Sequence, residues 1–453
     1  MKLWAGLLAG VALAGFGAAA FAQNTPPPAP APGAQRPAAQ APGQAAPTAP
    51  PAGSPARPAP FGDGPWTVQA SDVRLTVEVV TKGLDHPWGM AFLPNGDLLV
   101  TERPGRLRVV RSGVLDPKPI EGLPAMYVTG ISGFTDLLLD PNFATNRLIY
   151  FSYSKAAPDT PAGTSPAQTD ATLVVARARW DGGYQLADVR EIFVADAWYG
   201  KPPLPAKCCG QGPASGSFGG RLAIDGQGKL LITSGDRNFG EKVQDPSNHF
   251  GKILRINLDG TVPSDNPFVG RAGYKPEIWS IGHRNQLGLF YDAPTGKLWE
   301  SEYGPRGGDE INVITKGGNY GWIDVTQGMH YNGEAAKKGT RGVAGFIDPV
   351  WAFPPSGNPG NVAIYRGALF PSWTGDLLLA NMSRPPSLVR AKIGPDGQIV
   401  AMERLLENLN QRLRDVRVGP DGAIYVLTDE TAGAILKITP APAPPPAAPA
   451  APR

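Results

Sequence analysis

One short pattern recurs six times along the chain: a turn containing Gly, Asn or Asp, then a run of apolar residues that favour β-strands. The runs begin at Leu98, Leu148, Leu230, Leu298, Leu377 and Ile424, at spacings of 50, 82, 68, 79 and 47 residues. The shortest spacings approach the length of one four-stranded propeller blade, and the longer ones leave room for inserted loops. The pattern predicts an all-β fold, a six-bladed β-propeller with long loops on the ligand face.

A β-sandwich or an array of two small β domains would give a similar series of short strands, so both remain alternatives at this point. Long helical periodicity is nearly absent from the sequence, which favours an all-β architecture. A closed propeller gathers its irregular loops on one face around a central channel. We therefore expect the functional residues in those loops.

Proline marks the limits of the globular body. Of the 50 Pro residues, 13 lie between residues 26 and 60 and 7 lie between residues 440 and 453. Such Pro/Ala-rich stretches favour extended, solvated polyproline conformations and not a packed core. We predict a linker over 23–65, one propeller domain over 66–439 and a flexible tail over 440–453.

The first 22 residues carry one early positive charge, an apolar run and the small-x-small end Ala20-Phe21-Ala22. This is typical of a secretory signal peptide, with an uncleaved membrane anchor as the alternative. The sequence thus predicts export to a bacterial periplasm and no stable membrane span after signal cleavage. A formal net charge of only +3, without a Lys/Arg block, makes nucleic acid an unsuitable partner.

The chain has two cysteines, and they are adjacent: Cys208 and Cys209. Two cysteines cannot form the framework of so large a fold. In an oxidising compartment they could form a vicinal disulfide, join another chain or remain buried thiols. A metal site is not indicated, because no His or Cys lies at ligand spacing from them.

Acidic and Gly-rich loops are densest between residues 276 and 322. Glu302, Asp309 and Glu310 supply carboxylate oxygens, and the surrounding glycines leave backbone carbonyls free to turn inward. Calcium takes oxygen ligands in a flexible geometry, so this stretch is a candidate calcium site. Solvated surface turns are the alternative interpretation of the same residues.

Several stretches, in order along residues 80 to 438, resemble the soluble pyrroloquinoline-quinone (PQQ) dependent glucose/sorbosone dehydrogenases, and most closely the periplasmic aldose sugar dehydrogenases. The matching stretches are 83–92 (GLDHPWGMAF), 218–222 (FGGRL), 244–245 (QD) with 251–257 (GKILRIN), 282–285 (GHRN), 302–322, and 411–417 (QRLRDVR) before 419–422 (GPDG). The resemblance implies a six-bladed propeller, in agreement with the repeat count. It also implies two cofactors, PQQ and Ca²⁺.

The resemblance implies which residues hold PQQ, a planar quinone that bears three carboxylates. Arg284 and Asn285 would contact the quinone region, and Arg284 would also belong to the catalytic group. Arg412 and Arg414 would bind PQQ, since a guanidinium pairs with carboxylates through two parallel hydrogen bonds. Read in isolation, the last two would be a pair of surface arginines on one strand face.

The resemblance also implies two calcium sites. The carbonyls of Gly304 and Pro305 would hold the Ca²⁺ that touches the quinone. A second, structural Ca²⁺ would use the Glu310 side chain and the Tyr320 carbonyl.

The chain departs from the family pattern at its site. The family's catalytic His is Ser217 here, while Asp236 matches the aspartate that orients that base. A Gln that contacts PQQ is replaced by Ile131, and a Lys is replaced by Ser383, beside which Arg384 could serve instead. An unassisted serine hydroxyl is a poor proton acceptor near neutral pH.

Of the four histidines, His86 and His283 lie within matching stretches and His249 directly precedes the stretch 251–257, whereas His330 is unaccounted for and we interpret it as a solvated loop residue. The leading hypothesis is a periplasmic PQQ- and Ca²⁺-dependent dehydrogenase that oxidises an aldose or a related sugar or alcohol and passes electrons to a soluble acceptor. A catalytically impaired propeller that binds a sugar or a protein partner is the alternative. Lactone hydrolysis on a calcium-bearing propeller is a third hypothesis, which rests on fold analogy alone.

Overall fold

The computed structural model describes residues 62–165, 169–198, 216–353, 356–383 and 385–442. Regular structure in these residues is almost entirely β-strand, apart from the one-turn helix α1 (Phe143–Asn146) and short 3₁₀ turns. The strands are β1 (Trp66–Gln69), β2 (Arg74–Leu84), β3 (Pro87–Phe92), β4 (Leu98–Glu102), β5 (Arg106–Arg111), β6 (Val114–Leu115), β7 (Phe134–Leu139), β8 (Leu148–Ala156), β9 (Ala171–Arg179), β10 (Ala187–Val194), β11 (Gly219–Ile224), β12 (Leu230–Ser234), β13 (Lys252–Ile256), β14 (Ile278–Ile281), β15 (Gln286–Asp292), β16 (Lys297–Glu302), β17 (Asp309–Ile314), β18 (Trp351–Phe353), β19 (Pro359–Ile364), β20 (Leu377–Asn381), β21 (Ser387–Ile393), β22 (Ile399–Leu405), β23 (Leu413–Val418), β24 (Ile424–Thr428) and β25 (Gly433–Pro440).

These strands form six antiparallel sheets, and each sheet is one blade. The blades start with the inner strands β3, β7, β11, β15, β19 and β23. Each inner strand contacts the next one around the ring, and β23 contacts β3, so the ring closes. The predicted six-bladed β-propeller is confirmed, and the sandwich and two-domain alternatives are excluded.

The last blade joins the two ends of the described chain. Strand β2, from the N-terminal side, pairs with the C-terminal strand β25 from Leu75 opposite Pro440 to Leu84 opposite Gly433. Strand β1 adds a fifth strand at the outer edge. This pairing closes the ring through backbone hydrogen bonds, which leaves fewer unpaired strand edges.

The six sequence repeats all correspond to the same structural position. Each marks the second strand of a blade, in β4, β8, β12, β16, β20 and β24. The preceding turns need left-handed backbone, as at Gly96 (φ 87°) and Gly422 (φ 77°), where glycine has no Cβ to clash. The hairpin interpretation of the pattern is therefore confirmed.

An ion-pair network fills the channel between the inner strands. Arg221 is fully buried, and its Nη1 lies 3.3 Å from Oδ1 of Asp136 and 3.3 Å from Oδ1 of Asp415. Arg417 pairs with the same two carboxylates at 3.0 and 3.1 Å. Two guanidiniums and two carboxylates balance in charge, as a buried network requires. A cavity of about 690 Å³ opens at the end of the channel where the inner strands finish.

The buried side chain of Lys252, on β13, has no carboxylate within salt-bridge distance among the described residues. Its Nζ donates to the carbonyls of Val243 at 2.7 Å and Phe250 at 2.6 Å. Burial lowers the pKa of Lys252 to about 7. The side chain is therefore largely neutral in the folded protein above that pH.

This shift predicts a pH-dependent stability. Between pH 7 and about 10 the unfolded chain holds a proton on Lys252 that the folded chain does not, so the free energy of unfolding rises with pH, by about 1 kcal/mol per pH unit. The variant Lys252→Met lacks that slope, and the difference between the two proteins in denaturant titrations isolates it. The exposed control Lys392→Met keeps the slope. Parallel wild-type and Lys252→Met curves would contradict the prediction.

The predicted signal peptide, the adjacent pair Cys208 and Cys209, and Arg384 lie outside the described residues. In the part of the chain that is described, no helix is long and apolar enough to cross a membrane. Described strands run from Trp66 to Pro440, and the domain bounds stay a prediction.

Candidate functional site

The residues predicted to carry chemistry lie on one face of the propeller, called here the ligand face. In each blade the loop before the inner strand and the loop between the second and third strands meet at this face, because neighbouring strands are antiparallel. Loops of the first kind carry Ser217, Arg284 and Arg412. Loops of the second kind carry Asp236 and Gly304. The blade topology thus brings together residues that are far apart in the sequence.

Ser217 and Asp236 are neighbours at this face. The Ser217 hydroxyl donates to Oδ1 of Asn238 at 3.3 Å, and it lies close enough to the Asp236 carboxylate to lower the pKa of that group. Asp236 is fully buried and also accepts the backbone N–H of Asn238 and the indole N–H of Trp322, both at 2.8 Å. Burial raises the pKa of this carboxyl, and the positive charge of Arg284 opposes the rise. The residue at the position of the family base therefore lies directly beside the predicted orienting carboxylate.

Arg284 and Asn285 are held by backbone and side-chain contacts. The backbone N–H of Arg284 donates to Oε2 of Glu302 at 2.5 Å, and its Nη1 donates to the Tyr303 carbonyl at 3.3 Å. Asn285 accepts the backbone N–H of Gly219 at 3.2 Å. The buried Nε of Arg284 has no hydrogen-bond partner among the described residues. One guanidinium donor thus remains for a ligand.

Arg412 and Arg414 belong to a larger arginine cluster, in which Arg103, Arg412 and Arg414 surround the buried carboxylate of Asp429. Arg414 pairs with it most closely, Arg412 lies at 3.5 Å and Arg103 at 3.6 Å, while Nδ1 of His86 lies at 3.1 Å. Burial alone would raise the pKa of Asp429, but Arg414 and the His86 hydrogen bond hold it well below its ordinary value. Three guanidiniums thus share one buried carboxylate.

Asp309 holds the Gly304-Pro305 loop in position through hydrogen bonds. This carboxylate accepts the Gly304 N–H at 2.7 Å, the Ser356 hydroxyl at 2.6 Å and the Asn358 N–H at 2.6 Å. Its oxygens are therefore engaged in fixing the loop. Of the three acidic residues that the sequence offered as calcium ligands, Asp309 is a positioning residue.

A carboxylate cluster, formed by Glu300, Glu302 and Glu310 together with Asn312, lies on one face of strands β16 and β17. Glu300 is directly opposite Asn312 and Glu302 is opposite Glu310 in the antiparallel register. All four side chains are buried. The Asn312 amide nitrogen lies 3.0, 3.4 and 3.3 Å from oxygens of Glu300, Glu302 and Glu310. One amide group therefore faces three carboxylates.

Among the described residues no Lys or Arg side chain forms a salt bridge with this cluster, and Nδ1 of His283 lies 3.5 Å from Oε1 of Glu302. Oε1 of Glu300, Oδ1 of Asn312 and Nδ1 of His283 are buried with no hydrogen-bond partner in the described part of the chain. One ligand atom each from His283, Glu300 and Glu302 lie within 4.8 Å of one another. Burial and mutual repulsion raise the pKa of Glu300 and Glu310 well above the ordinary value, and burial raises that of Glu302 to about 8. Such an arrangement is suited to a hard cation.

A cavity of about 10 Å³ adjoins the cluster and is lined by Glu302, Glu310, Tyr320 and Trp322, among others. That volume suits one ion or one water molecule. Tyr320 is also packed against His283, with ring centroids 4.8 Å apart. The structure thus brings Glu310 and Tyr320, which the resemblance assigns to a structural calcium, to the same small cavity.

The departures from the family pattern are at the ligand face as well. Ile131, in the loop before β7, is 53% exposed. Ser383, in the loop between β20 and β21, follows Met382, whose carbonyl accepts a hydrogen bond from Nη1 of Arg412 at 3.5 Å.

The structure corrects the interpretation of His330 as a solvated residue. Its side chain is buried, 2% exposed, because the ring packs on Trp322 with centroids 5.4 Å apart.

Sequence reasoning missed Arg103, Asp429, Glu300 and Asn312. For the last two a signal was present, since Glu300-x-Glu302 and Glu310-x-Asn312 alternate with period two and so share a strand face. Arg103 and Asp429 carried no such signal. They meet only because the first and last blades are neighbours in the ring.

Comparison with known proteins gives consistent relatives. The family model described as Glucose / Sorbosone dehydrogenase matches residues 84–437. The chain is 37% identical over 378 residues to the aldose sugar dehydrogenase YliI of Escherichia coli, covering 82% of this chain and 94% of that protein. It superposes on the apo-form crystal structure of the E. coli soluble aldose sugar dehydrogenase with a TM-score of 0.72, at 36% identity, covering 81% of this chain and all of that one. The PQQ-bound aldose sugar dehydrogenase of Streptomyces coelicolor gives 0.62 at 25% identity, covering 82% of this chain and all of that one.

Proposed function

The chain belongs to the glucose/sorbosone dehydrogenase family, and we propose that it is a periplasmic PQQ- and calcium-dependent oxidoreductase acting on the CH–OH group of an aldose or a related sugar or alcohol. Membership makes the chain an oxidoreductase of the PQQ-dependent sugar dehydrogenase type. The identity of the cation, the compartment and the site residues are the finer parts of the proposal.

The observation that carries the proposal is the positive charge of the arginine cluster. Three guanidiniums surround the one buried carboxylate of Asp429. A second carboxylate, that of Glu430, accepts the Arg412 backbone N–H at 3.3 Å. The cluster therefore retains a positive charge even when both carboxylates are ionised. The side chain of Arg412 is 44% exposed, and the buried Nε of Arg414 has no partner within the described ranges. A planar ligand with three carboxylates fits such a site.

Calcium fits two places at the ligand face. The Gly304 and Pro305 carbonyls would hold the ion that touches the cofactor, on a loop that Asp309 fixes. Glu310 and the Tyr320 carbonyl would hold the second ion beside the carboxylate cluster. A divalent ion would compensate the repulsion among those carboxylates, whose oxygens are the ligands that calcium prefers.

When bound, the quinone and its calcium ion would supply a hydride acceptor with a polarised carbonyl. The protein would supply position and proton transfer. Arg284, with Nε unpartnered among the described residues, would orient the quinone region together with Asn285. Ser217 and Asp236 would accept the proton of the substrate hydroxyl. Arg412 and Arg414 would bind the cofactor carboxylates, and Arg384 would assist them.

The sequence of the N-terminal segment supports the periplasmic part of the proposal. The N-terminal 22 residues have the pattern of a signal peptide, and the Pro/Ala-rich segment that follows would act as a spacer. In that compartment the electrons would pass from the reduced cofactor to a soluble acceptor.

Titration with PQQ in the presence of Ca²⁺ tests the proposal directly. We expect saturable binding, seen as a change in PQQ absorbance, and then dye reduction on addition of one or more sugars from an aldose panel. Heat-denatured protein and PQQ without protein are the controls. Failure to bind PQQ would refute the proposed cofactor, and binding without turnover on any sugar would refute the enzymatic part alone.

A catalytically impaired propeller that binds a sugar or a protein is the second candidate. Three substitutions at the ligand face support it: Ile131, Ser217 and Ser383. The variant Ser217→His separates the two, since an imidazole beside Asp236 restores the family pair. A gain of activity of 100-fold or more over an inactive wild type would favour the impaired state.

A further inference from the structure

The local backbone holds Ser217 in an unusual and well-defined position. Its φ of 54° lies in the left-handed region, which a residue with a Cβ rarely adopts. The Ser217 carbonyl accepts the Arg237 N–H at 3.0 Å. A Cβ on Gly235 would lie 2.2 Å from the same carbonyl oxygen, so the two loops are in tight contact. The side chain of Ser217 is therefore presented by a constrained turn.

The Ser217 hydroxyl has one proton and faces two acceptors. One is the Asp236 carboxylate, and the other is Oδ1 of Asn238 at 3.3 Å. A carboxylate is the stronger acceptor, because charge-assisted hydrogen bonds are roughly twice as strong as neutral ones. Rotation of the hydroxyl from the Asn238 amide toward the Asp236 carboxylate would therefore be favourable, and the oxygen lone pairs of Ser217 remain for an incoming hydroxyl.

The burial, the hydrogen bonds and the raised pKa of Asp236 suit a final proton acceptor. It is fully buried, so a substrate can reach it only through an intermediary. Asn238 and Trp322 fix its two oxygens. The charged groups that act on it are Arg284, which favours the carboxylate, and Glu302, which favours the neutral acid. Burial is the larger influence, and it raises the pKa of Asp236 toward the range useful in general-base catalysis.

We propose that Asp236 is the catalytic base of this protein and that Ser217 relays the proton to it. When bound, the quinone named in the proposed function would accept the hydride as the substrate C–H bond breaks. The substrate O–H proton moves to Oγ of Ser217, and the Ser217 proton moves to the Asp236 carboxylate. The substrate is oxidised by two electrons, the quinone is reduced by two, and Asp236 holds one proton, which returns to solvent along the same path. This inference rests on the proposed function.

His330 is the rival base. It is buried, and its Nδ1 has no partner among the residues described. Trp322 lies between His330 and the Ser217–Asp236 pair: its ring packs on the imidazole, and its indole N–H donates to Asp236. The imidazole is tilted against that indole, and among the described residues it forms no hydrogen bond with Ser217 or Asp236.

Single-turnover kinetics on PQQ-loaded protein test the relay. Ser217→Ala and Asp236→Asn are each expected to lower the rate of cofactor reduction by about 100-fold or more, the usual size of a general-base contribution. The dissociation constant for PQQ should change by less than about threefold, because neither side chain belongs to the arginine cluster. Ser247→Ala, in an exposed turn, is the matched control. Equal rates for wild type and Ser217→Ala would overturn the relay.

Two further measurements keep the test independent of a folding defect. In infrared difference spectra recorded as substrate reduces the cofactor, the wild type should gain a protonated carboxyl band that Asp236→Asn lacks. Ser217→His should retain or raise activity, whereas Ser217→His combined with Asp236→Asn should lose it again. A rate loss in His330→Asn as large as that in Asp236→Asn would identify His330 as the base. Turnover in the wild type that Ser217→Ala leaves unchanged would refute the relay alone. PQQ binding without turnover would refute the enzymatic part of the proposed function as well, and no PQQ binding would refute the proposed cofactor.

Discussion

Replacing Arg412 with methionine is expected to weaken PQQ binding by about 10- to 100-fold while leaving thermal stability nearly unchanged. A hydrogen bond to a charged group contributes about 1.5–3 kcal/mol, and each 1.4 kcal/mol is a factor of ten in affinity. The side chain of Arg412 is 44% exposed, so its substitution removes few buried contacts. Fluorescence or absorbance titration with PQQ measures the affinity, and differential scanning calorimetry measures the stability.

Arg404→Met is the matched control, because Arg404 is an exposed arginine on β22 outside the arginine cluster. The same titration on Arg103→Met is expected to show a loss of similar size, since Arg103 lies 3.6 Å from the same Asp429 carboxylate. Unchanged PQQ affinity in both cluster variants would show that the cluster serves the fold and not the cofactor.

Calcium is expected to stabilise the metal-free protein, and Glu310→Gln is expected to abolish most of that effect. A ligand at 100 times its dissociation constant adds about 2.7 kcal/mol to the free energy of unfolding, which is about 3 °C in melting temperature for a domain of this size. Glu310 lines the small cavity beside three unpartnered buried ligand atoms. Calorimetry with and without a chelator measures the increment.

In the absence of calcium the order should reverse. Glu310→Gln then removes one of three buried carboxylates that repel one another, so the variant should melt at or above the wild-type temperature. Glu241→Gln, at an exposed position, should retain the full calcium increment. A wild-type melting temperature that does not respond to calcium would contradict the metal assignment at this cluster.

The repeat pattern was sufficient for the fold because every blade uses its second strand in the same way. Leu98 and Ile424 belong to different ends of the chain, yet both follow a tight turn and enter a fully buried strand. Apolar runs and glycine turns are local properties, so the sequence carries them without any long-range information. The β2–β25 pairing is not local, and the six repeats did not predict which strands would close the ring.

The functional site likewise has features that the sequence predicted and features that it did not. Motifs and resemblance named Ser217, Asp236, Arg284 and the Gly304-Pro305 loop, which the structure places on one face. The burial of His330 was not predictable, because it depends on Trp322 from another turn of the same long loop. The hydrogen bonds of Asp309 were not predictable either, because Ser356 and Asn358, which donate to it, lie in the connection between β18 and β19.

The sequence by itself determined the number of blades, the family and the position where the family's base is replaced by Ser217, since all three depend on local patterns or on motif order. Only the tertiary structure decided what surrounds that position. It placed a buried carboxylate against the Ser217 hydroxyl and three arginines around Asp429. The charge and proton affinity of a side chain depend on its neighbours in space, and in a closed ring those neighbours come from distant parts of the chain.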